Sequence, residues 1–187
     1  YVSKRAVRPY EVQDTDPGFA YGESHVFDVS GMEPQLACPH SVDNVDTLAH
    51  VTANREIKLS QGYIGSCTGG REEDIAVAAR IVKGRHIPPY SRLVVVPASS
   101  EVMLSCMEKG YIQDLMNAGA TITTPGCGAC LGAHEGIIAP GETCISSTNR
   151  NFPGRMGSNQ ASIYLASPAT VAASIINGRI TDPRDYL

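Results

Sequence analysis

The unbroken apolar run Leu93–Val96 constrains the fold more than any other part of the sequence. Four consecutive aliphatic residues are typical of a strand that is buried on both faces, as in a parallel sheet with a covering layer on each side. Helical spacing of apolar residues precedes and follows this run, and further short apolar runs come later in the chain. Strands that alternate with helices in this way need crossover connections. The pattern therefore predicts an α/β fold: a three-layer α/β/α domain with a mostly parallel sheet.

The predicted elements follow this alternation. Strands are predicted at 62–65, 93–96, 120–124, 143–147 and 163–165, and helices at 71–83, 99–110, 112–118 and 167–178. The first helix has Ile75, Ala78 and Val82 on one face and is expected to end before Gly84. Ser167-Pro168 marks the start of the last helix, because serine is a good N-cap and proline is tolerated at the first helical position.

The domain organisation is predicted from the N-terminal region. Residues 1–22 are polar, contain proline and lack periodicity, which predicts an extended N-terminal segment. Residues 23–187 are predicted to form one domain, because 187 residues with 42% hydrophobic content suffice for one core but hardly for two. The alternation in His25–Val29 predicts a half-buried strand. The residues after it are predicted to be largely loop, with regular structure starting near Arg55.

Charge and hydropathy argue against two classes of partner. The net charge of -4, from 19 acidic and 15 basic side chains, disfavours a broad phosphate-binding face, so nucleic acid is not expected. No apolar stretch approaches the roughly 20 residues that span a bilayer, so no membrane contact is expected.

The opening residues lack the apolar core of an export signal, which predicts a reducing, cytoplasmic location. Because the sequence begins with Tyr1 and not with Met, a processed product or a piece of a longer polypeptide is expected.

Three glycine-bearing loops are predicted to leave the carboxyl ends of strands. Ligands bind at this edge of a parallel α/β sheet. The loops have the sequences GSCTGG at 65–70, PGCGACLG at 125–132 and TNRNFPGR at 148–155. Two of them place cysteine among glycines, where the backbone can approach a bulky inorganic group and hydrogen-bond its sulfur.

The C-x-x-C pair Cys127 and Cys130 leaves three interpretations open: a metal cluster, a zinc site, or a structural or redox pair. A zinc site would need Cys67 together with Cys38, His40 or His134. Cys67 lies in a different loop at the same predicted edge, which favours the cluster. Three converging thiolates would leave one iron of a cubane without a protein ligand, and that iron could act as a Lewis acid on a substrate oxygen.

Asn149, Arg150 and Arg155 lie in the third loop. Guanidinium groups bind carboxylates bidentately, so two arginines in an otherwise acidic chain indicate an anionic substrate. The alternative is that they are ordinary surface residues. Cys106 and Cys144 lie on apolar patterns and are predicted to be small core residues.

Together the three loops resemble the aconitase superfamily of iron–sulfur hydro-lyases, and within it most closely the large subunits of 3-isopropylmalate dehydratase and homoaconitase. The resemblance rests on Ile64–Thr68, on Gly126–Gly132 and on Thr148–Arg155, and it extends over most of residues 23–187. It implies the fold of the family's cluster-binding third domain. It also implies that Cys67, Cys127 and Cys130 bind a 4Fe–4S cluster, and that Asn149, Arg150 and Arg155 face the cluster and the carboxylates of the substrate.

The resemblance further implies a lyase of amino-acid biosynthesis, such as leucine biosynthesis. Such an enzyme isomerises a 2-hydroxy di- or tricarboxylic acid by dehydration and rehydration. Its partners would be the remaining large-subunit domains and a small subunit with a swivelling domain. Those parts supply the acid–base residues in the family, so no catalytic residue is assigned here and the isolated chain is expected to be inactive. The alternative is a non-catalytic module, derived from such an enzyme, that binds zinc or an iron–sulfur cluster.

One residue departs from the family pattern. The family usually has Asn after the Cys-Thr of its first motif, where this chain has Gly69. Both residue types tolerate a left-handed backbone, so the turn is expected to be preserved.

Overall fold

The computed structural model describes residues 2–187, so Tyr1, the first residue of the predicted N-terminal segment, lies outside the described residues. The chain divides after Met32 into two compact units. The first unit contains one short 3-10 turn, Val2–Lys4, and is otherwise irregular over its described residues. No described helix is long and apolar enough to cross a membrane.

The strand predicted at His25–Val29 is wrong. Residues 23–29 are without regular secondary structure, and the side chains of Val26 and Phe27 are 95% and 80% exposed. Alternating apolar residues form a strand only where a neighbouring strand supplies hydrogen bonds and one face is buried. Neither condition is met in this segment.

The second unit, Glu33–Leu187, is built on a seven-stranded sheet. Its strands are β1 (Gln35–Ala37), β2 (Val45–Thr47), β3 (Gln61–Gly65), β4 (Arg92–Val96), β5 (Thr121–Ile122), β6 (Thr143–Ser146) and β7 (Ser162–Leu165). They lie in the order β2-β1-β7-β6-β3-β4-β5. The run from β7 to β5 is parallel, whereas β1 pairs antiparallel with both β2 and β7. All five predicted parallel strands are confirmed.

The helices are α1 (Leu48–Thr52), α2 (Glu72–Val82), α3 (Ser100–Glu108), α4 (Tyr111–Asn117) and α5 (Pro168–Asn177). Their ends follow the predicted signals: the Ser99 and Ser167 side chains accept hydrogen bonds from backbone amides at the starts of α3 and α5. Gly178 ends α5 in a left-handed conformation that suits glycine. In the second unit, regular structure begins at Gln35 and not near Arg55, so the prediction of loop there missed β1, β2 and α1.

The two faces of the sheet are covered differently. On one face, residues of all five described α-helices form a single core with alternate strand residues such as Ile64, Leu93 and Ile145. On the other face, Tyr63 and Val94 pack against residues of the segment 128–161. That segment contains one 3-10 turn, Gly128–Leu131, and no α-helix is described between this turn and β6. The α/β class with a mostly parallel sheet is confirmed, with an irregular third layer where a helical one was expected.

Candidate metal and anion site

Three loops leave the carboxyl ends of β3, β5 and β6 at one edge of the sheet. These strands belong to the parallel run β6-β3-β4-β5, so their carboxyl ends point the same way. The loops contain the six residues predicted for the site, which are Cys67, Cys127, Cys130, Asn149, Arg150 and Arg155. The fold therefore brings the three sequence motifs to a common edge.

The loop after β3 presents Cys67 to solvent from a closely packed base. Cys67 is exposed, whereas Gly65 and Gly69 on either side of it are buried. The Ser147 hydroxyl, at the end of β6, accepts a hydrogen bond from the Gly65 amide at 3.1 Å and donates one to the Gly69 carbonyl at 3.1 Å. Both ends of the loop that carries Cys67 are thus joined to the neighbouring strand.

Gly69 is needed for packing and not for a left-handed backbone. Its φ is not among the positive values in the chain, so the expected reason for tolerating the change from Asn is wrong. A Cβ at position 69 would lie 2.3 Å from the Ser147 hydroxyl oxygen and 2.5 Å from the Ser147 carbonyl oxygen. In this chain the absence of a side chain at 69 is what lets the two segments approach.

Cys127 precedes the 3-10 turn Gly128–Leu131, which packs on the sheet, and Cys130 lies within that turn. Cys127 is exposed, whereas Cys130 is buried. The Tyr63 hydroxyl donates a hydrogen bond to the Cys127 carbonyl at 3.2 Å, which ties the pair to β3. A guanidinium nitrogen of Arg155, Nη2, lies 3.8 Å from Cys130 Sγ. The third loop therefore reaches the second one through an N–H···S contact.

The other three cysteines, Cys38, Cys106 and Cys144, have thiols whose pKa is raised by burial. All six thiols are free. Burial raises the pKa of Cys106 to about 11 and that of Cys144 to about 12, which disfavours the thiolate that binds metal. Both are fully buried, as predicted for core residues. Cys38 is partly buried, and burial raises its pKa as well.

The residue types at this edge are those that an iron–sulfur cluster needs, namely three cysteines and an N–H donor beside a cysteine sulfur. Among the described residues, no three His, Cys, Asp or Glu side chains lie close enough together to hold one metal ion. A cubane binds each thiolate to a different iron, so it does not require the thiolates to converge on one point. The buried Arg155 Nε has no hydrogen-bond partner among the described residues. A buried N–H donor beside a cysteine sulfur fits an anionic group placed between the loops.

The third loop, residues 148–155, is called the arginine loop, and it has an exposed part and a partly buried part. Asn149 and Arg150 are exposed, and Arg150 Nη1 donates to the Asn149 carbonyl at 2.8 Å. Arg155 is half-buried, with its guanidinium 5.7 Å from the centre of the Phe152 ring. The loop thus provides two guanidinium groups, one exposed to solvent and one held beside Cys130.

Three supporting residues were not found from the sequence: Tyr63, Ser147 and Asn151. Asn151 is 1% exposed, and its Nδ2 donates to the Cys38 carbonyl at 2.8 Å, which joins the arginine loop to the loop after β1. Each of the three acts through a backbone group of a residue distant in sequence. Only Asn151 gave any signal, as a second asparagine in the Asn-Arg-Asn run, whereas Tyr63 and Ser147 resemble ordinary strand residues.

Comparison with known proteins gives consistent matches over nearly the whole chain. The sequence model of the Aconitase family (aconitate hydratase) matches residues 3–178. A probable methanogen homoaconitase large subunit from Methanosarcina mazei is 47% identical over 98% of this chain. 3-Isopropylmalate dehydratase large subunits from Hydrogenobaculum sp. and Methanopyrus kandleri are 46% and 48% identical over 99% and 100% of it. The chain covers 46%, 43% and 44% of these three proteins, respectively, and so spans less than half their length.

Proposed function

This chain belongs to the aconitase family, and we propose that it is the cluster-bearing part of an iron–sulfur hydro-lyase. The observation that carries the proposal is the common sheet edge at which β3, β5 and β6 present three cysteines and two arginines. Enzymes of this family generally use a 4Fe–4S cluster. The relatives are named for 3-isopropylmalate dehydratase and homoaconitase, so the proposed substrate is a 2-hydroxy di- or tricarboxylic acid.

The proposed cluster ligands are Cys67, Cys127 and Cys130. Two of these thiols are exposed, and the third is buried beside the Arg155 guanidinium. An N–H donor at a ligating sulfur stabilises its negative charge and tunes the metal that it binds. When bound, such a cluster would supply an iron without a thiolate ligand, which acts as a Lewis acid at the hydroxyl group of the substrate.

The proposed role of Asn149, Arg150 and Arg155 is to bind the carboxylates of the substrate. Arg155 offers a fixed guanidinium whose buried Nε has no partner among the described residues, whereas Arg150 is exposed and can adapt. A planar fork orients a carboxylate more strongly than a single ammonium does. Together these side chains would hold the substrate so that its hydroxyl and the adjacent carbon take a defined position.

The proposed partners follow from the share of the relatives that this chain covers. The relatives are named large subunits, and the chain spans less than half of each. We therefore expect the rest of a large subunit and a small subunit to complete the site and to supply the acid–base residues. We propose that the enzyme acts in the cytoplasm, in amino-acid biosynthesis, with leucine biosynthesis as one example.

Turnover by the assembled protein tests this proposal. In this test the chain is joined to the remaining large-subunit domains and mixed with the small subunit. The assembly is expected to hydrate the unsaturated acid derived from its substrate, and the loss of ultraviolet absorbance measures this reaction. The isolated chain is expected to give no turnover, because it carries anion-binding groups but no assigned base. A cluster-loaded assembly that is inactive on both 3-isopropylmalate and homoaconitate would favour the non-catalytic module. Activity of the isolated chain would overturn the assignment of the base to its partners.

A further inference from the structure

Ser147 joins the two ends of the loop that presents Cys67. Its hydroxyl oxygen accepts from the Gly65 amide and its proton goes to the Gly69 carbonyl, at 3.1 Å each. Ser147 is 7% exposed, and its own amide donates to the Tyr63 carbonyl at 3.0 Å. The serine therefore extends the pairing of β3 with β6 beyond the end of the ladder, where the backbone of the cysteine loop turns away.

The packing around these hydrogen bonds leaves little room for the loop to move. A Cβ at Gly69 would lie 2.3 Å from the Ser147 hydroxyl oxygen, and one at Gly65 would lie 2.4 Å from the Val96 carbonyl oxygen. Glycine is required at both positions because backbone or a short buried side chain occupies that space. The loop therefore lies between β4 and the end of β6, with Cys67 at its exposed tip.

The same serine lies two residues before Asn149 on the arginine loop. Its hydroxyl thus connects the loop of the first proposed metal ligand to the segment that carries the proposed anion-binding groups. Without the hydroxyl, the Gly65 amide and the Gly69 carbonyl would each lose a partner in a buried position, where an unpaired polar group is costly. The Cys67 loop would then relax away from the β6 end.

We propose that Ser147 is a positioning residue, which fixes the Cys67 loop relative to the arginine loop through its two hydrogen bonds. The proposal rests on the proposed function for the identity of Cys67 as a cluster ligand. It goes beyond that function by naming the group that sets the ligand's position. Ser147 itself is assigned no contact with cluster or substrate.

The test compares two buried serines that make the same kind of bridge. Ser174 accepts from the Thr181 amide at 3.0 Å and donates to the Thr181 carbonyl at 3.4 Å, but it lies in α5 on the helical face of the sheet. In the full chain, Ser147→Ala is expected to release iron from a reconstituted cluster to a chelator at least tenfold faster than the parent. Ser174→Ala and Ser147→Thr, which keeps the hydroxyl, are expected to release iron at the parent rate.

A second measurement needs no metal and separates this proposal from the proposed function. In the metal-free chain, the Gly65 amide is expected to exchange hydrogen at least tenfold faster in Ser147→Ala than in the parent or in Ser174→Ala. If Ser147→Ala does not fold, Gly69→Ala replaces it in the test. Its added Cβ forces the same contact apart, so the same increase in exchange is expected. Unchanged exchange and unchanged iron release in a variant that melts like the parent would overturn the positioning role. Faster exchange in a chain that takes up no cluster would instead contradict the proposed function alone.

Discussion

Arg155 makes contacts that an ordinary surface arginine does not make. One of its terminal nitrogens lies 3.8 Å from Cys130 Sγ, and its buried Nε has no hydrogen-bond partner among the described residues. The sequence suggested an anion-binding arginine here, because two arginines follow a predicted strand in an acidic chain. It did not reveal that Arg155 reaches a cysteine from another loop, since that contact depends on how both loops fold over the sheet.

We predict that Arg155→Lys reduces catalysis in the assembled enzyme without removing iron. Lysine keeps the charge but lacks the planar fork that binds a carboxylate through two N–H groups. Losing a charge-assisted hydrogen bond in a dry site costs on the order of 2 to 4 kcal/mol, or roughly thirty- to a thousand-fold in kcat/KM. Iron content is expected to remain that of the parent, because the three thiols are intact. Steady-state kinetics and iron analysis of the same preparation check both parts.

The matched control for this variant is Arg179→Lys. Arg179 is exposed and pairs with Glu56 at 2.6 Å, away from the three loops in sequence. The Arg179→Lys variant is expected to have the same kcat/KM as the parent. Equal kcat/KM for Arg155→Lys and the parent would show that Arg155 is an ordinary surface residue. The anion-binding role of the third loop would then lose its main support.

Among the elements, the amino ends of the central strands are joined by a partly buried polar network. Arg92 on β4 donates to both carboxylate oxygens of Glu142, at 2.7 and 2.5 Å, and to the side chain of Gln61 on β3 at 2.6 Å. The Gln61 side chain in turn donates to the Gly136 carbonyl at 2.8 Å. This network fixes the irregular segment between the C-x-x-C turn and β6 at the sheet end opposite to the site loops.

Stability is predicted to depend on pH through Glu142. The Arg92 guanidinium holds the pKa of that carboxyl below its usual value. A carboxyl with a lowered pKa in the folded state stabilises the fold above its unfolded pKa of about 4.3, and this contribution disappears as the pH falls through the folded pKa. Glu142→Gln is therefore expected to lower the free energy of unfolding at pH 7, by on the order of 1 kcal/mol, because the partly exposed pair is weakened by solvent. The difference from the parent is expected to shrink toward pH 3.

Urea unfolding at pH 7 and in acid measures this difference directly. Glu56→Gln removes an exposed ion pair and serves as the control, with an expected effect close to zero at both pH values. A Glu142→Gln deficit that is the same at pH 7 and at pH 3 would mean that the charge of Glu142 does not contribute through the Arg92 pair.

The elements also show where sequence patterns were sufficient. The parallel strands β3, β4 and β6 were predictable because buried strands in a crossover fold contain short apolar runs, such as Leu93–Val96 in β4. The three-residue strands β1 and β2 were not, because so short a segment carries no periodicity. Their pairing depends on tertiary contacts, of β1 with β7 and of β2 with β1. The irregular layer over the second face was not predictable either, since its buried residues Ile138, Met156 and Ala161 are far apart in sequence.

At the scale of the whole molecule, the chain is one part of a larger architecture in its relatives. It spans less than half of the large subunits that it matches. The three site loops nevertheless lie together within this part, on strands of one sheet. The sequence could predict this because each motif follows a recognisable strand, and the carboxyl ends of parallel strands meet at one edge. The hydrogen bonds that support the loops, such as those of Ser147, required the folded structure.

The proposed function depends above all on a cubane cluster held by three particular thiols. Anaerobic reconstitution with iron and sulfide, followed by analysis of both elements, tests for this cluster. We predict about four irons and four sulfides per chain. We also predict that this content is lost in Cys67→Ser, Cys127→Ser and Cys130→Ser and kept in Cys106→Ser, whose thiol is fully buried in the core. Iron binding by the first three variants at the level of the parent, or a parent that binds zinc and no iron, would contradict the assignment of these cysteines to a cluster.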